Sequence, residues 1–239
     1  MNVIYLSKQK PKFKCTFLQD DIFLCGMKGS GKTTRVKKIL DLIRGKYPYW
    51  IYSPQRPIEN YGDYGKIVKT IEQLDYSQCV YAGETNPEVL AKICKRAFEK
   101  FGNIVLVLDD LHESVHKHSV EVELSRLVQS GRNRGISCIY IATNPAVIPN
   151  WILGNVSVAF GYRVQLESHC RWLGENYFGE EAWLLVQKDR RKSHFNKPDD
   201  FDVLPKYSYI MRHSDEAQTT VIINDLDQKF NTVSEVLEE

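Results

Sequence analysis

The sequence lacks any C-x-x-C pair. Its six cysteines stand singly at 15, 25, 79, 94, 138 and 170, most of them inside apolar runs. That spacing leaves no redox or zinc pair and describes reduced core residues in a cytosol-like compartment. No apolar run approaches the roughly 18 residues that a membrane span requires. The N-terminal MNVIYLSKQKPKFK has no secretory hydrophobic region, so a soluble chain without a signal peptide is expected. Internal repeats, low-complexity linkers, helix-turn-helix patterns and zinc patterns are all missing. A large charge of either sign is missing too: the net charge is +2 over 239 residues, so bulk charge announces no polyanionic partner.

What is present is a chain that is 43% apolar, enough for a sizeable core, with charge that is unevenly spread. Residues 8–46 carry eleven Lys/Arg against three acids, and KDRRKSHFNK (188–197) carries five against one. The last 25 residues carry seven acids and one Lys. Such clusters can be solvated faces, and they matter only if they line a working surface. Short apolar runs alternate with helical stretches, which predicts an α/β fold with a mainly parallel sheet. Strands are expected at 22–25, 49–53, 79–83, 104–108, 136–143 and 156–160. A helix is expected over about 33–44. Asn86-Pro87-Glu88 reads as an N-cap with proline in the first turn of a second helix, whose face carries Leu90, Ile93, Ala97 and Phe101. Val120, Leu124, Leu127 and Val128 mark a third helix, and ESHCRWLGENYF (167–178) a fourth. Residues 188–206 read as a loop, 207–212 and 219–224 as a terminal hairpin, and the tail as an exposed or frayed helix.

Gly26-Met27-Lys28-Gly29-Ser30-Gly31-Lys32-Thr33 fits G-x-x-x-x-G-K-[ST] at every fixed position, between an apolar strand and a helix. Glycines let the backbone N–H groups of such a loop wrap a β-phosphate, and the helix N-terminus adds a favourable dipole. Gly26, Lys28, Gly29, Ser30, Gly31, Lys32, Thr33 and Thr34 are the candidate nucleotide-binding residues. Lys32 would reach the β- and γ-phosphates, and the Thr33 hydroxyl would ligate Mg²⁺.

The stretch IVLVLDDLHE (104–113) separates the possible chemistries. A buried apolar strand delivers an acid to the edge of the sheet where phosphate sits. Asp109 would hold Mg²⁺ through water, and the adjacent Asp110 would polarise an attacking water, with Glu113 as the weaker candidate for that role. A nucleotide kinase needs no such second acid. In QSGRNRGISCIYIATNP (129–145) a helix ends in Arg132 and Arg134, and a strand ends in Asn144. Asn144 could touch the γ-phosphate or the water. The arginines either cap the helix dipole or neutralise charge on a neighbouring subunit's γ-phosphate.

Taken together, these motifs resemble the FtsK/HerA superfamily of P-loop ATPases, and most of all the genome-packaging ATPases of membrane-containing double-stranded DNA viruses. The resemblance runs from about Asp21 to about Val186. It rests on GMKGSGKTT, VLVLDDLHE, GRNRGISCIYIATNP and ILGNVSVAFGYRVQLESHCRWLG, in that order. It implies a RecA-like core, with the 136–142 strand between the P-loop strand and the Asp109 strand. It also implies a homo-oligomeric ring, often a hexamer, that hydrolyses ATP with Mg²⁺ and moves double-stranded DNA. Arg132 falls at the position of an arginine finger acting across subunits, with Arg134 as fallback. Arg163 and Arg171 match later arginines that face the nucleotide or the interface. His112 stands at the family's His position, either a link toward DNA or a loop residue. Two positions depart from the family pattern: Asp110 stands for a Glu and Asn144 for a Gln, each one methylene shorter.

On this reading residues 1–239 form a single P-loop ATPase domain, with a core over about 20–186 and a C-terminal extension over 187–239. It would be found in the host cytoplasm or with the virion, with capsid-vertex or membrane proteins as further partners. Sequence-blind DNA contacts would come from Lys117 and from Lys188, Arg190, Arg191 and Lys192. The rival readings are a nucleotide kinase, a nucleotide-binding assembly module without turnover, and a conjugation or filamentous-phage assembly motor.

Overall fold

The computed structural model describes residues 15–111, 114–186, 207–214 and 220–222. Strand β1 (Asp21–Cys25) leads through the Gly-rich loop into helix α1 (Lys32–Ile43). Then come β2 (Tyr49–Tyr52), α2 (Pro57–Tyr61), β3 (Lys66–Val68), β4 (Gln78–Tyr81) and α3 (Pro87–Arg96). Strand β5 (Ile104–Leu108) is followed by α4 (His118–Ser130), β6 (Ile136–Ala142), α5 (Asn150–Leu153), β7 (Val156–Tyr162) and α6 (Glu167–Leu173). Strands β8 (Tyr209–His213) and β9 (Thr220–Ile222) end the described chain.

The nine strands form one open sheet in the order β3-β4-β2-β5-β6-β1-β7-β8-β9. It is parallel from β3 through β7, and β8 and β9 add antiparallel. As the family resemblance implied, β6 lies between the P-loop strand β1 and the acidic strand β5, with Ile22 opposite Ile139 and Leu106 opposite Cys138. The expected hairpin forms and extends the sheet beyond β7.

A parallel sheet covered on both faces needs apolar residues at every strand position. Strand β5 meets that condition with five buried side chains. Ile104, Leu106 and Leu108 enter one core, with Leu90 and Ile93 of α3 and Leu124 of α4. Val105 and Val107 enter the other, with Val36, Ile39 and Leu40 of α1. Helix α3 starts as expected: the Asn86 side chain accepts the Val89 N–H at 2.9 Å, and Pro87 follows. Five of the six cysteines are buried and Cys15 is half-buried.

Several elements differ from the sequence reading. The helix expected over 167–178 is α-helical only to Leu173. A π-turn (Gly174–Phe178) follows and stops at Gly179, where φ is 59°. Helices α2 and α5 and strand β3 have five, four and three residues, too short for periodicity to show. The 188–206 loop and the acidic tail lie outside the described residues.

The edge beyond β1 is locked by Arg35 of α1, whose side chain is buried. Its Nε–H donates to the Tyr162 hydroxyl at 3.2 Å, and its guanidinium lies 4.2 Å from the centroid of the Tyr209 ring. The helix that begins at the Gly-rich loop is thus tied to both β7 and β8. Gly161 makes the same junction possible, because a Cβ there would stand 2.8 Å from the Phe178 ring and 3.0 Å from Ile210 and Leu185. Gly161→Ala is therefore expected to destabilise the fold by about 1–3 kcal/mol through overpacking, read as a lower urea midpoint with unchanged slope.

Candidate functional site

In a parallel sheet, the loops that follow the strands gather at one edge. Here the tips of five adjacent strands, β2, β5, β6, β1 and β7, surround a cavity of about 550 Å³. From the β1 loop it takes Met27, Lys28, Gly29, Lys32 and Thr33; from β5, Asp109 and Asp110; from β6, Thr143 and Asn144. Gln55, Arg56 and Asn60 enter after β2, and Gln165 and His169 after β7.

The loop after β1 is held by its neighbours. The Gly26 N–H donates to Ala142 O at the end of β6, and the Met27 N–H donates to Arg163 O just past β7. Gly26 (φ 156°) leaves no room for a side chain, since a Cβ would lie 2.5 Å from the Tyr162 Cβ. Gly31 (φ 109°) is the N-cap of α1, in a conformation L side chains rarely adopt. The Ser30 hydroxyl is buried with no hydrogen-bond partner among the described residues. A buried donor in that position fits an acceptor oxygen brought by a ligand. The Lys32 ammonium donates to Gly26 O at 2.7 Å and Met27 O at 3.1 Å. Burial lowers its pKa, with Cys25, Asp109 and Asp110 opposing the shift.

Opposite the loop, Asp109 is 6% exposed. Tyr61 donates its hydroxyl to Oδ2 at 2.9 Å, and the Asp110 N–H donates to Oδ1 at 3.0 Å. Burial, then Asp109, pushes the Tyr61 phenol well above its ordinary pKa, with Thr33 opposing the shift, so the buried ring stands by both residues expected to hold the metal. The Ser53 hydroxyl lies 3.0 Å from Gln55 O and 3.4 Å from Asp109 Oδ2, and its single proton serves one at a time. Burial, then repulsion from Asp110, raises the Asp109 pKa to about 6, against the hydrogen bonds that lower it. Asp110 has a left-handed backbone, φ 48°. The imidazole of His169 is shifted toward neutrality by burial.

Of the residues expected from sequence, Lys28, Gly29, Lys32, Thr33, Asp109, Asp110 and Asn144 line this one cavity. Gly26, Ser30 and Gly31 build the loop behind it, and Thr34 is exposed on α1. Asn144 also accepts the Ala146 N–H at 3.2 Å. Arg132 and Arg134 are exposed at the start of β6, the far edge of the sheet from the cavity of their own chain. The Arg134 guanidinium lies 5.1 Å from the Phe98 ring centroid. Arg163 is half-buried beside the loop after β1, and Arg171 pairs with Glu167 at 3.7 Å on α6. Lys117 is exposed before α4. His112, Glu113, Lys188, Arg190, Arg191 and Lys192 lie outside the described residues. Tyr61, Ser53, Gln55, Arg56, Asn60, Thr143, Gln165 and His169 were not foreseen. Ser53 and Thr143 had a signal, since each is the last residue of an expected strand.

Among the described residues no three His, Cys, Asp or Glu side chains assemble a metal cage. One carboxylate and one hydroxyl on a phosphate-sized cavity still suit Mg²⁺, which takes few protein ligands and completes its shell with phosphate oxygens and water. Among the described residues no helix is long and apolar enough to cross a membrane.

No protein-family model matches the chain, and no curated protein matches it either. Solved structures do. The genome packaging NTPase B204 of Sulfolobus turreted icosahedral virus 2, in complex with AMP, aligns over 86% of this chain and 97% of its own, with TM-score 0.64 and 16% identity. B204 of Sulfolobus turreted icosahedral virus, a DNA-packaging ATPase, gives TM-score 0.65 and 17% identity over 85% and 96%. The pCW3 conjugation coupling protein TcpA, with ATPγS, gives TM-score 0.54 and 16% identity over 87% and 62%. At these identities the likeness is one of fold.

The burial of Asp109 has a measurable sign. A carboxylate raised from 3.8 to about 6 binds its proton more tightly in the folded chain. Folding stability therefore falls as pH rises through about 4 to 6, by on the order of 3 kcal/mol. Asp109→Asn removes that component. The melting temperature of Asp109→Asn minus that of wild type should be more positive at pH 7.5 than at pH 4.5. Asp21, raised to about 7 by burial, is present in both proteins and cancels.

Proposed function

We propose that this chain is an ATP-hydrolysing motor of the FtsK/HerA type that moves double-stranded DNA, and that its task is viral genome packaging into a preformed capsid. The observation that carries the reading is the meeting of Lys32, Thr33, Asp109 and Asp110 on one cavity, at the edge where helix α1 begins. The fold shared with B204, a genome packaging NTPase, supports the biological half of it.

In this reading the backbone N–H groups of 26–33 and the Ser30 hydroxyl bind the β-phosphate. Lys32 exchanges its two loop carbonyls for β- and γ-phosphate oxygens. Thr33 and Asp109 would hold Mg²⁺, with the Asp109 carboxylate oriented by the Tyr61 hydroxyl, and the ion would supply charge neutralisation at the phosphates. Asp110 accepts a hydrogen bond from the attacking water and orients it toward the γ-phosphorus. Its shorter side chain, relative to the family's Glu, stands on a left-handed backbone that resets where the carboxylate starts. Asn144 and Thr143, at the tip of β6, respond to the γ-phosphate. Arg132 lies at the wrong edge to serve its own cavity, so a catalytic Arg132 acts on the cavity of a neighbouring subunit in a homo-oligomeric ring. Lys117 and the basic 188–192 segment grip DNA phosphates without reading sequence.

A nucleotide-gated assembly module without turnover is the second reading. It is favoured by the Asn144 oxygen, which is engaged by the Ala146 N–H.

Steady-state ATPase assays with and without duplex DNA separate the two. The motor reading expects DNA-stimulated turnover and a loss of 10²-fold or more in Lys32→Ala and Asp110→Asn. Asn tolerates φ > 0, so the latter isolates the carboxylate. Arg132→Ala should lose about 10³-fold or more and recover partly when mixed with Lys32→Ala subunits. Turnover that is absent in wild type, with nucleotide still bound, would favour the module.

A further inference from the structure

We infer that Arg56 is a catalytic cation supplied from within the same subunit, contacting the terminal phosphate of the bound nucleotide. The inference rests on the nucleotide-hydrolysing reading above and names a residue for which that reading gives no role.

The strand order gives the first argument. Across the rim of the cavity, β2 carries Arg56, β5 carries Asp109 and Asp110, β6 carries Thr143 and Asn144, and β1 carries the phosphate loop. Strands β2 and β1 are three spacings apart, about 14 Å. A phosphate chain cradled at β1 and directed toward Asp110 ends between the two banks. Three lining residues are lysine or arginine: Lys28 and Lys32 on the β1 bank, and Arg56 on the β2 bank. A planar guanidinium with several donors suits the oxygens of a terminal phosphoryl group. Among the described residues no ion pair or hydrogen bond engages the Arg56 guanidinium.

The backbone gives the second argument. Arg56 is left-handed, with φ 50° and ψ 53°, and it precedes Pro57. An L side chain disfavours that region, and a following proline pushes its predecessor toward extended conformations. Of the five non-glycine residues with positive φ among those described, Arg56 and Asp110 line the cavity. Strain of this kind persists where surrounding structure over-determines it. Here the Asn60 N–H donates to Arg56 O at 3.0 Å and the Asn60 side-chain amide to Gln55 O at 3.2 Å. One residue on, Tyr61 is fastened to Asp109. The loop that carries Arg56 is thus fixed to the carboxylate expected to hold the metal. Glycine would fill position 56 without strain, yet among the described lining residues the position carries the one cationic side chain on this bank.

Arg56→Gly separates function from fold, because it relieves the backbone while deleting the cation. It should melt at or above the wild-type temperature. Its kcat should fall at least 10-fold, and its affinity for ATPγS at least 10-fold, with ADP affinity changed less than 3-fold. Arg56→Lys should recover part of the kcat. Mixing Arg56→Gly with Lys32→Ala subunits should give no recovery, since neither subunit then holds a complete cavity. Wild-type kcat and ATPγS affinity in Arg56→Gly, with Lys32→Ala inactive, would overturn the role of Arg56 and leave the hydrolytic reading standing. Recovery on mixing would overturn its action in cis. An active Lys32→Ala would instead sink the hydrolytic reading itself.

Discussion

A single carboxylate held almost out of water organises the cavity. The ionised form of Asp109 is tolerable at its depth only because donors surround it, and each donor comes from a different place in the chain. Tyr61 reaches it from α2, Ser53 from the end of β2, and the Asp110 N–H from the next residue. Satisfying one charge therefore fixes the turn after β5 and the loop after β2 together. The left-handed backbones of Asp110 and Arg56 sit in those two segments. Strain and buried charge thus share one bank of the cavity, facing the phosphate loop.

The other bank depends on strand ends rather than on charge. The Ala142 carbonyl at the end of β6 and the Arg163 carbonyl just past β7 receive the N–H groups of Gly26 and Met27, so the Gly-rich loop inherits its position from the sheet. Arg35 carries that order outward. Its buried cation is faced by the Tyr209 ring and bonded to Tyr162, which couples the first helix to the C-terminal hairpin. A displacement of β8 would be felt at the start of α1, and a change at the phosphate loop would be felt at the edge of the sheet.

The two edges of the sheet hold different chemistry. Acids and the Gly-rich loop gather where the parallel strands end; Arg132 and Arg134 stand where β6 begins. Seven residues of extended β6 separate them, about 23 Å at 3.3 Å per residue. No side chain spans that gap within one chain.

The sequence by itself determined whatever depends on neighbours in the chain. The phosphate loop is local, because its glycines and its Lys-Thr pair act through consecutive backbone positions. The Asn86 cap is local for the same reason. Strand β5 is legible because burial on both faces forces five apolar residues in a row. Asp109 and Asp110 follow as the first polar residues at its tip. Only the tertiary structure decided which loops face the loop after β1. Strand β2 pairs with β5 across more than fifty residues, and no periodicity encodes that choice. Tyr61, Ser53 and Arg56 became neighbours of Asp109 through it. Tyr61 reads in sequence as one aromatic among thirteen tyrosines, and becomes a donor to Asp109 only when the sheet is assembled. Hydrogen bonding to a buried charge acts over about 3 Å of space and is indifferent to sequence distance, which is why the polar environment of the carboxylate had to be seen in three dimensions.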